Sequence, residues 1–525
     1  MNLANYVCGE WKAGGGPGEP LVDPVTGEEL ARISAQGIDA QAALEFARRE
    51  GGPALRAMSY AQRATLLAKI GETLTANRDE YFRLSLLNLG ANQADASFDV
   101  DGALYTMKYY AKLGAALGEG KFFKEGAHLP LSKTGVFVGQ HFLLPAKGAA
   151  VFINAFNFPA WGFCEKAAPA LLSGIPIVVK PASPTAWLAQ RMVEDIVKAN
   201  ILPRGAISIL CGSARELLDH VGESDVVSFT GSAETAARIR SHSNVLRRSV
   251  RVNIEADSIN SVILGPDVAP GSELFDLLVK EVVREMTLKA GQKCTAIRRV
   301  FVPRPQMKAV AEAIAAKLGG LKTGNPRNAE VKVGPVVNKA QQSACLEGLR
   351  QLKSECTVIF GGDEHFQPVD ADAAKSAFVQ PTLLACNDGL RAKFVHDVEV
   401  FGPAATLIAY DSTEDAIALA RRGLGSLVAS IFANDAAFTQ SVVLGVGDLH
   451  GRLMVVDSSV GSQYTGHGNV VPSCLHGGPG RAGGGEELAG LRALSLYHRR
   501  FVVQGPPSLA GALAGLSADA ASLYS

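Results

Sequence analysis

Two segments carry the residues best suited to chemistry. RVNIEADSIN places Glu255 at the end of a strand-like run, and KAGQKCTAIRR presents Cys294 among small and polar neighbours. A thiolate is a nucleophile, and a carboxylate within reach can serve as its general base. Held on separate elements and aimed at one cavity, the pair can attack an electrophilic carbon and later activate water. Taken singly, each is ordinary. A lone cysteine is usually a small buried hydrophobe, and a strand-end glutamate is usually solvated or ion-paired, so the argument rests on their surroundings.

The surroundings must be large and ordered. The chain has 525 residues, 47% of them hydrophobic, enough for more than one buried core. Formal net charge is +0, and the 19% of charged residues form no long single-sign run, which argues against nucleic acid as a partner and against disorder. The eight cysteines include no CxxC pair, so no metal site or disulfide framework is expected. The N-terminus, MNLANYVCGEWK, lacks the charged and apolar regions of a signal peptide. No apolar run reaches the ~18 residues of a membrane span. The expectation is a cytoplasmic protein in a reducing compartment, without membrane contact.

The elements that would position the pair follow from periodicity. Residues 1–35 carry turn signals between short strands. Residues 38–50, 59–89 and about 95–117 read as helices, with Leu66, Leu67, Ile70 and Leu74 at helical spacing in the second. GVFVGQHFLLPA (135–146) reads as an extended hairpin arm. From 148 to 255, AAVFIN, IPIVVK, AISIL, DVVSF and VRVNI alternate with helical stretches, including WGFCEKAAPALLS, TAWLAQRMVEDIVKAN and SARELLDHV. Short apolar strands alternating with helices imply a mostly parallel sheet covered on both faces, with ligands at the C-terminal strand ends. Asn157, Lys180, Gly231, Ser232 and Glu255 all fall at such ends. A second alternation from 260 to about 456 predicts a second α/β domain, and hence a cleft between the two. The tail from 461 is rich in Gly and Pro and reads as a loop. LSLYHRRFVVQG then reads as a strand able to pair with the 135–146 hairpin, and 505–525 as a surface helix.

Taken together, FNFP (156–159), VVKPAS (178–183), FTGS (229–232), NIEAD (253–257), GQKCTA (291–296), EVFGP (399–403) and HGGPGRAGGGEE resemble the aldehyde dehydrogenase superfamily, in its order and over nearly the whole chain. The resemblance implies an α/β fold of two doubly wound parallel-sheet domains with a β oligomerisation arm. Residues 1–127 and 146–256 would form the cofactor-binding domain and 257–461 the catalytic domain. Residues 128–145 and 486–505 would form the arm, and 506–525 a surface tail. A homodimer or dimer of dimers is expected.

It also implies roles. Cys294 matches the nucleophile, Asn157 the oxyanion-hole amide, and Glu255 the base that hydrolyses the thioester to a free acid. Lys180, Gly231, Ser232, Glu399 and Phe401 match cofactor-binding positions, with Ile153 and Phe156 beside them. Relatives that prefer NAD often carry Glu where this chain has Ser183. A carboxylate there repels a 2′-phosphate, so NADP is favoured, with NAD still possible. The tail resembles a narrower subgroup, the ring-cleavage semialdehyde dehydrogenases of CoA-linked phenylacetate and benzoate degradation. Phenylacetate members commonly carry a C-terminal hydratase domain, for which this chain leaves no room. The expected substrate is therefore the benzoate-branch 3,4-dehydroadipyl-CoA semialdehyde. His467 and His476 stand in this tail, either bordering the entrance or, as such histidines more often do, packing a loop. An NAD-linked dehydrogenase of simple aldehydes, acyl transfer to CoA and a silent binding protein remain as alternatives.

Overall fold

The computed structural model describes residues 1–519 and is organised by two seven-stranded sheets. The first runs in the order Arg251–Glu255, Val226–Thr230, Ala150–Ile153, Ile177–Lys180, Ile207–Ile209, Asn5–Val7 and Glu10–Lys12. Its first five strands are parallel, and the N-terminal hairpin adds two antiparallel ones. Successive residues of these strands are buried on opposite faces. Val151, Val178 and Val227 pack in one core, whereas Phe152, Ile177 and Val179 join the core under the helix Trp161–Leu172. Burial on both faces is why the strands are continuously apolar.

The second sheet runs Thr357–Phe360, Thr382–Cys386, Ala404–Tyr410, Ile297–Pro303, Asn260–Leu264, Ser426–Phe432 and His450–Val456. Only its first pair is antiparallel. The helix Glu273–Thr287 covers one face with Leu274, Leu278, Val282 and Met286. Ser272 caps that helix by accepting from the Phe275 N–H at 3.3 Å.

A four-stranded sheet stands apart. His498–Gly505 pairs antiparallel along the whole of Val138–Pro145, which pairs in turn with Phe123–Pro130. The strand expected over LSLYHRRFVVQG starts only at His498, because Gly490–Tyr497 coils into a 3-10 helix. Two helical expectations also change. Residues 59–89 split at Asn77 into Tyr60–Ala76 and Arg78–Leu89. SARELLDHV forms only a short 3-10 turn, Arg215–Asp219, with Leu217 and Val221 in the core; so short a segment gains little from helix propagation. At the C-terminus, Pro507–Ala514 is helical and Ala518–Asp519 pairs with Phe123–Lys124. The rest of the expected tail, 520–525, lies outside the described residues.

The glycine-rich tail is the most consequential difference. It is not simply a loop: Leu475–Gly478 and Gly485–Leu488 form an antiparallel hairpin. Gly485 lies so close to the strand Arg251–Glu255 that a Cβ there would stand 2.3 Å from the Ile254 carbonyl oxygen. Ala256 N–H donates to the Ala482 carbonyl at 2.9 Å. Glycine permits this backbone-on-backbone approach, and the approach carries His476 and Glu487 to Glu255. No helix of the described residues is long and apolar enough to cross a membrane.

Candidate active site

Glu255 ends the edge strand of the first sheet, in register with Thr230, and is buried. Cys294 follows a backbone reversal in which Lys289, Ala290 and Gly291 have φ of 54°, 51° and 69°. This left-handed run is unfavourable for Lys and Ala and is held from several sides. Asp95 accepts the Lys289 N–H at 2.6 Å, and Arg298 donates to the carbonyls of Gly291 and Gly402 at 2.8 and 2.7 Å. A Cβ on Gly291 would stand 2.2 Å from the Gly402 carbonyl oxygen. Asn260 Nδ2 donates to the Cys294 carbonyl at 2.7 Å, tying the loop to the first strand of the second sheet.

The two residues meet in a cavity of about 460 Å³, walled by Phe158, Trp161, Val470 and Thr295. Asn157 lines it too, with Nδ2 donating to the Gln292 carbonyl at 3.0 Å. An amide nitrogen has two hydrogens, so one bond orients the group and leaves a donor for the cavity.

The charges around Glu255 are dense. His476 Nε2 stands 2.8 Å from Glu255 Oε2, both side chains buried. Beyond this ion pair and the Cys294 thiol, neither carboxylate oxygen meets a donor among the described residues. Behind it, Lys166 Nζ lies 3.0 Å from carboxylate oxygens of both Glu165 and Glu487 and donates to Thr230 Oγ1 at 2.8 Å. Glu487 also accepts from Ser228 and Asn253 at 2.8 and 2.9 Å. Carboxylate oxygens of Glu165, Glu255 and Glu487 fall within 4.8 Å of one another.

Each proton affinity follows from these neighbours. Burial pushes Glu255 up, but His476 and Lys166 outweigh it and hold the carboxyl below its ordinary range. Burial disfavours a charged His476, yet Glu255, Glu165 and Glu487 raise its affinity above that of free imidazole. Glu165 is pushed up to about 7, by burial first and then by Glu487 and Glu255, against the pull of Lys166. The Cys294 thiol is driven well above its usual value by burial, then by Glu255, Glu165 and Glu399. The resting arrangement is thus a protonated thiol facing an ionised carboxylate.

His467, by contrast, packs a loop: it is fully buried, with Nδ1 2.6 Å from Ser430 Oγ. His476 neither borders the entrance nor packs a loop, because the tail hairpin turns it inward onto Glu255. The sequence signals Glu165 and Lys166 only as a Glu-Lys pair inside the otherwise apolar WGFCEKAAPALL, every residue of which from Phe163 on is buried, and Glu487, in the tail hairpin, carries no local signal.

The residues expected at a cofactor gather on the first sheet and the facing loop. Ile153 and Lys180 are cross-strand partners at the C-terminal ends of their strands. Ser183 opens the 3-10 turn Ser183–Thr185, and Thr185 Oγ1 donates to the Phe156 carbonyl at 3.0 Å. The Phe156 and Phe401 rings meet edge to face with centroids 5.7 Å apart. Gly231 precedes Ser232, which caps the helix Ala233–Arg240. One free N–H of that helix, at Ala233, is already taken by Asp257 at 2.9 Å. Glu399 accepts from the Ser258 N–H at 3.2 Å through Oε2, while its buried Oε1 has no partner among the described residues. Burial pushes this carboxyl up to about 7, although Arg298 pulls it down.

Comparison with known proteins gives a consistent picture. A family model described as "Aldehyde dehydrogenase family" matches residues 11–465. The chain is 65% identical over 479 residues to 3,4-dehydroadipyl-CoA semialdehyde dehydrogenase of Aromatoleum evansii, covering 91% of this chain and 93% of that protein. Among solved structures, a putative aldehyde dehydrogenase from Burkholderia cenocepacia superposes with a TM-score of 0.83 at 24% identity, over 96% of this chain and 97% of that one. PnpE in complex with nicotinamide adenine dinucleotide superposes with a TM-score of 0.83 at 23% identity, over the same shares of the two chains. These structural likenesses support the fold.

Proposed function

The chain belongs to the aldehyde dehydrogenase family and is an NAD(P)-dependent aldehyde dehydrogenase; on that premise we propose that it oxidises 3,4-dehydroadipyl-CoA semialdehyde to the free acid, with NADP as the preferred oxidant. The observation that carries the chemistry is the Cys294–Glu255–His476 cluster, its carboxylate and imidazole buried and its thiol half-buried, opening on one cavity. The substrate rests on the 65% identity to the Aromatoleum evansii enzyme. The apolar walls at Phe158, Trp161 and Val470 suit the carbon chain of the semialdehyde.

Glu255 takes the Cys294 proton as sulfur adds to the aldehyde carbon. The second Asn157 N–H and the Cys294 backbone N–H stabilise the oxyanion. A nicotinamide cofactor, held by Lys180, Ser183 and Glu399, would supply the acceptor for the hydride of the tetrahedral carbon. Glu255 passes its proton to solvent and, ionised again, deprotonates the water that cleaves the Cys294 thioester. The partnerless, buried Glu399 Oε1 fits a ribose hydroxyl donor, and Lys180 at its strand end fits the adenosine ribose. Glu255 argues against acyl transfer to CoA, which needs no activated water.

Reduced-nicotinamide production from the CoA-linked semialdehyde and from the free aldehyde, each with NADP and with NAD, tests the reading. Preference for the CoA-linked aldehyde with NADP supports it, and equal use of free aldehydes refutes the substrate assignment. Ser183→Glu is expected to raise KM for NADP by at least about tenfold while changing KM for NAD little, because only the 2′-phosphate meets the new charge. An unchanged cofactor ratio would separate Ser183 from selectivity.

His476 predicts a pH effect. Glu255 is a base only while ionised, and its lowered proton affinity keeps it ionised into acid. In His476→Phe the largest opposing cation is gone, and burial raises the carboxyl. The acid limb of the deacylation rate should then move to higher pH by at least about one unit. A limb that stays in place would show that Lys166 alone holds the charge.

The domain limits and the oligomeric state follow the same proposal. Leu129, Leu131, Val136, Phe137, Phe501 and Val502 are exposed on and beside the four-stranded sheet, which fits burial against a second copy as a homodimer or dimer of dimers. Sedimentation at micromolar concentration should find no monomer.

A further inference from the structure

Beyond turnover, the cluster at the nucleophile has the composition of a metal centre. We propose that Cys294, Glu255 and His476 form an inhibitory site for a borderline-soft divalent cation of the zinc type. One sulfur, one carboxylate oxygen and one imidazole nitrogen lie within 4.8 Å of one another. Tetrahedral zinc with bonds of about 2.0–2.3 Å places its ligand atoms roughly 3.3–3.6 Å apart, so side-chain movements well below a rotamer change bring the three into range. His476 Nε2 and Glu255 Oε2, 2.8 Å apart, already converge on the Cys294 side of the cavity. The donors come from the strand Arg251–Glu255 and the tail hairpin, both held by backbone hydrogen bonds, and from the loop before Ile297, held by the Asn260 amide on the Cys294 carbonyl. Three protein ligands with a fourth position open to the cavity are the pattern of accessible zinc sites.

A dipositive ion bound by thiolate, carboxylate and neutral imidazole is neutralised by its own ligands, one negative charge coming from sulfur and one from oxygen. The other charges facing the cluster, Lys166 with Glu165 and Glu487, keep their mutual pairing. No other cysteine of the described residues shares such a group of three donors. The bound ion occupies the nucleophile and the base together, which stops both halves of the reaction and is reversed by chelation. The inference rests on the side-chain geometry and not on the substrate assignment.

The test uses the reduced, metal-free full chain titrated with Co²⁺, so that failure of the substrate reading leaves its outcome untouched. One equivalent should bind with a thiolate-to-cobalt charge-transfer band and the intense visible bands of four-coordination, both bleached by Zn²⁺. Cys294→Ala should lose the charge-transfer band. His476→Phe should weaken binding by more than about 100-fold, beyond the loss typical of an outer-shell partner. Cys474→Ser, at an exposed thiol near His476, should change nothing. On the unmutated chain, Zn²⁺ should protect Cys294 from alkylation, read by mass spectrometry, which keeps the test independent of folding in the variants. A band that persists in Cys294→Ala, or alkylation of Cys294 unaffected by Zn²⁺, overturns the proposal.

Discussion

Cys294→Ala is expected to abolish aldehyde oxidation, with a loss of at least about 10⁴-fold in kcat/KM, the order found when a covalent nucleophile is removed. No other group in the cavity can replace it. The walls at Phe158, Trp161 and Val470 are apolar, and the remaining cavity nucleophiles are Thr230 and Thr295, His476 paired with Glu255, the Lys166 ammonium tied to two carboxylates and acids that must act as bases. Cofactor affinity should change by less than about threefold, since the expected cofactor contacts at Lys180, Ser183 and Glu399 do not involve the thiol. Stability should not fall. The Cys294 proton is held by burial and by the fields of Glu255, Glu165 and Glu399, and alanine removes a group that those fields disfavour once ionised. The measurements are steady-state rate, cofactor titration by fluorescence and thermal unfolding. Residual turnover above a hundredth of the parent rate would transfer the nucleophile role elsewhere.

The parallel sheets were legible because both faces of each strand are buried, which makes AAVFIN, IPIVVK and DVVSF apolar throughout. The positions of Glu255 and Cys294 were legible because strand ends and glycine-flanked turns mark where such folds act. The tail hairpin was not. Its residues have no hydrophobic period, and its pairing depends on glycines approaching the Ile254 carbonyl, a contact with no local signal. The same gap hid the charge network. Glu165 and Lys166 stand out as charges in an apolar helix, but Lys166 meets Glu487 across 321 positions. His476 was ambiguous for this reason, since only the hairpin turns it inward. The left-handed Lys289 and Ala290 were illegible because neither residue favours positive φ, and tertiary bonds from Asp95 and Arg298 impose it.

Glu255→Gln separates the two halves of the reaction and should slow the second far more than the first. Glutamine keeps the shape of the side chain and loses the charge. The field that raises Cys294 is led, after burial, by Glu255. Without it the thiol ionises more readily, which offsets the loss of Glu255 as acceptor of the thiol proton. Acylation therefore survives. Water attack on the thioester has no other carboxylate so placed, because Glu165 and Glu487 are both engaged by Lys166. Deacylation should slow by about 10²–10⁴-fold, the range for loss of a positioned base. Rapid mixing with aldehyde and NADP should then give a burst of reduced cofactor close to one per site, followed by a slow steady rate. Mass spectrometry should find the acyl group on Cys294. His476, deprived of its partner anion, should lose part of its raised proton affinity, visible as a downfield imidazole resonance that titrates at lower pH than in the parent. A steady rate equal to the parent's, with no burst and no trapped acyl group, would remove Glu255 from the base role and leave it to Glu165, the other carboxyl lining the cavity, whose proton affinity is pushed up to about 7.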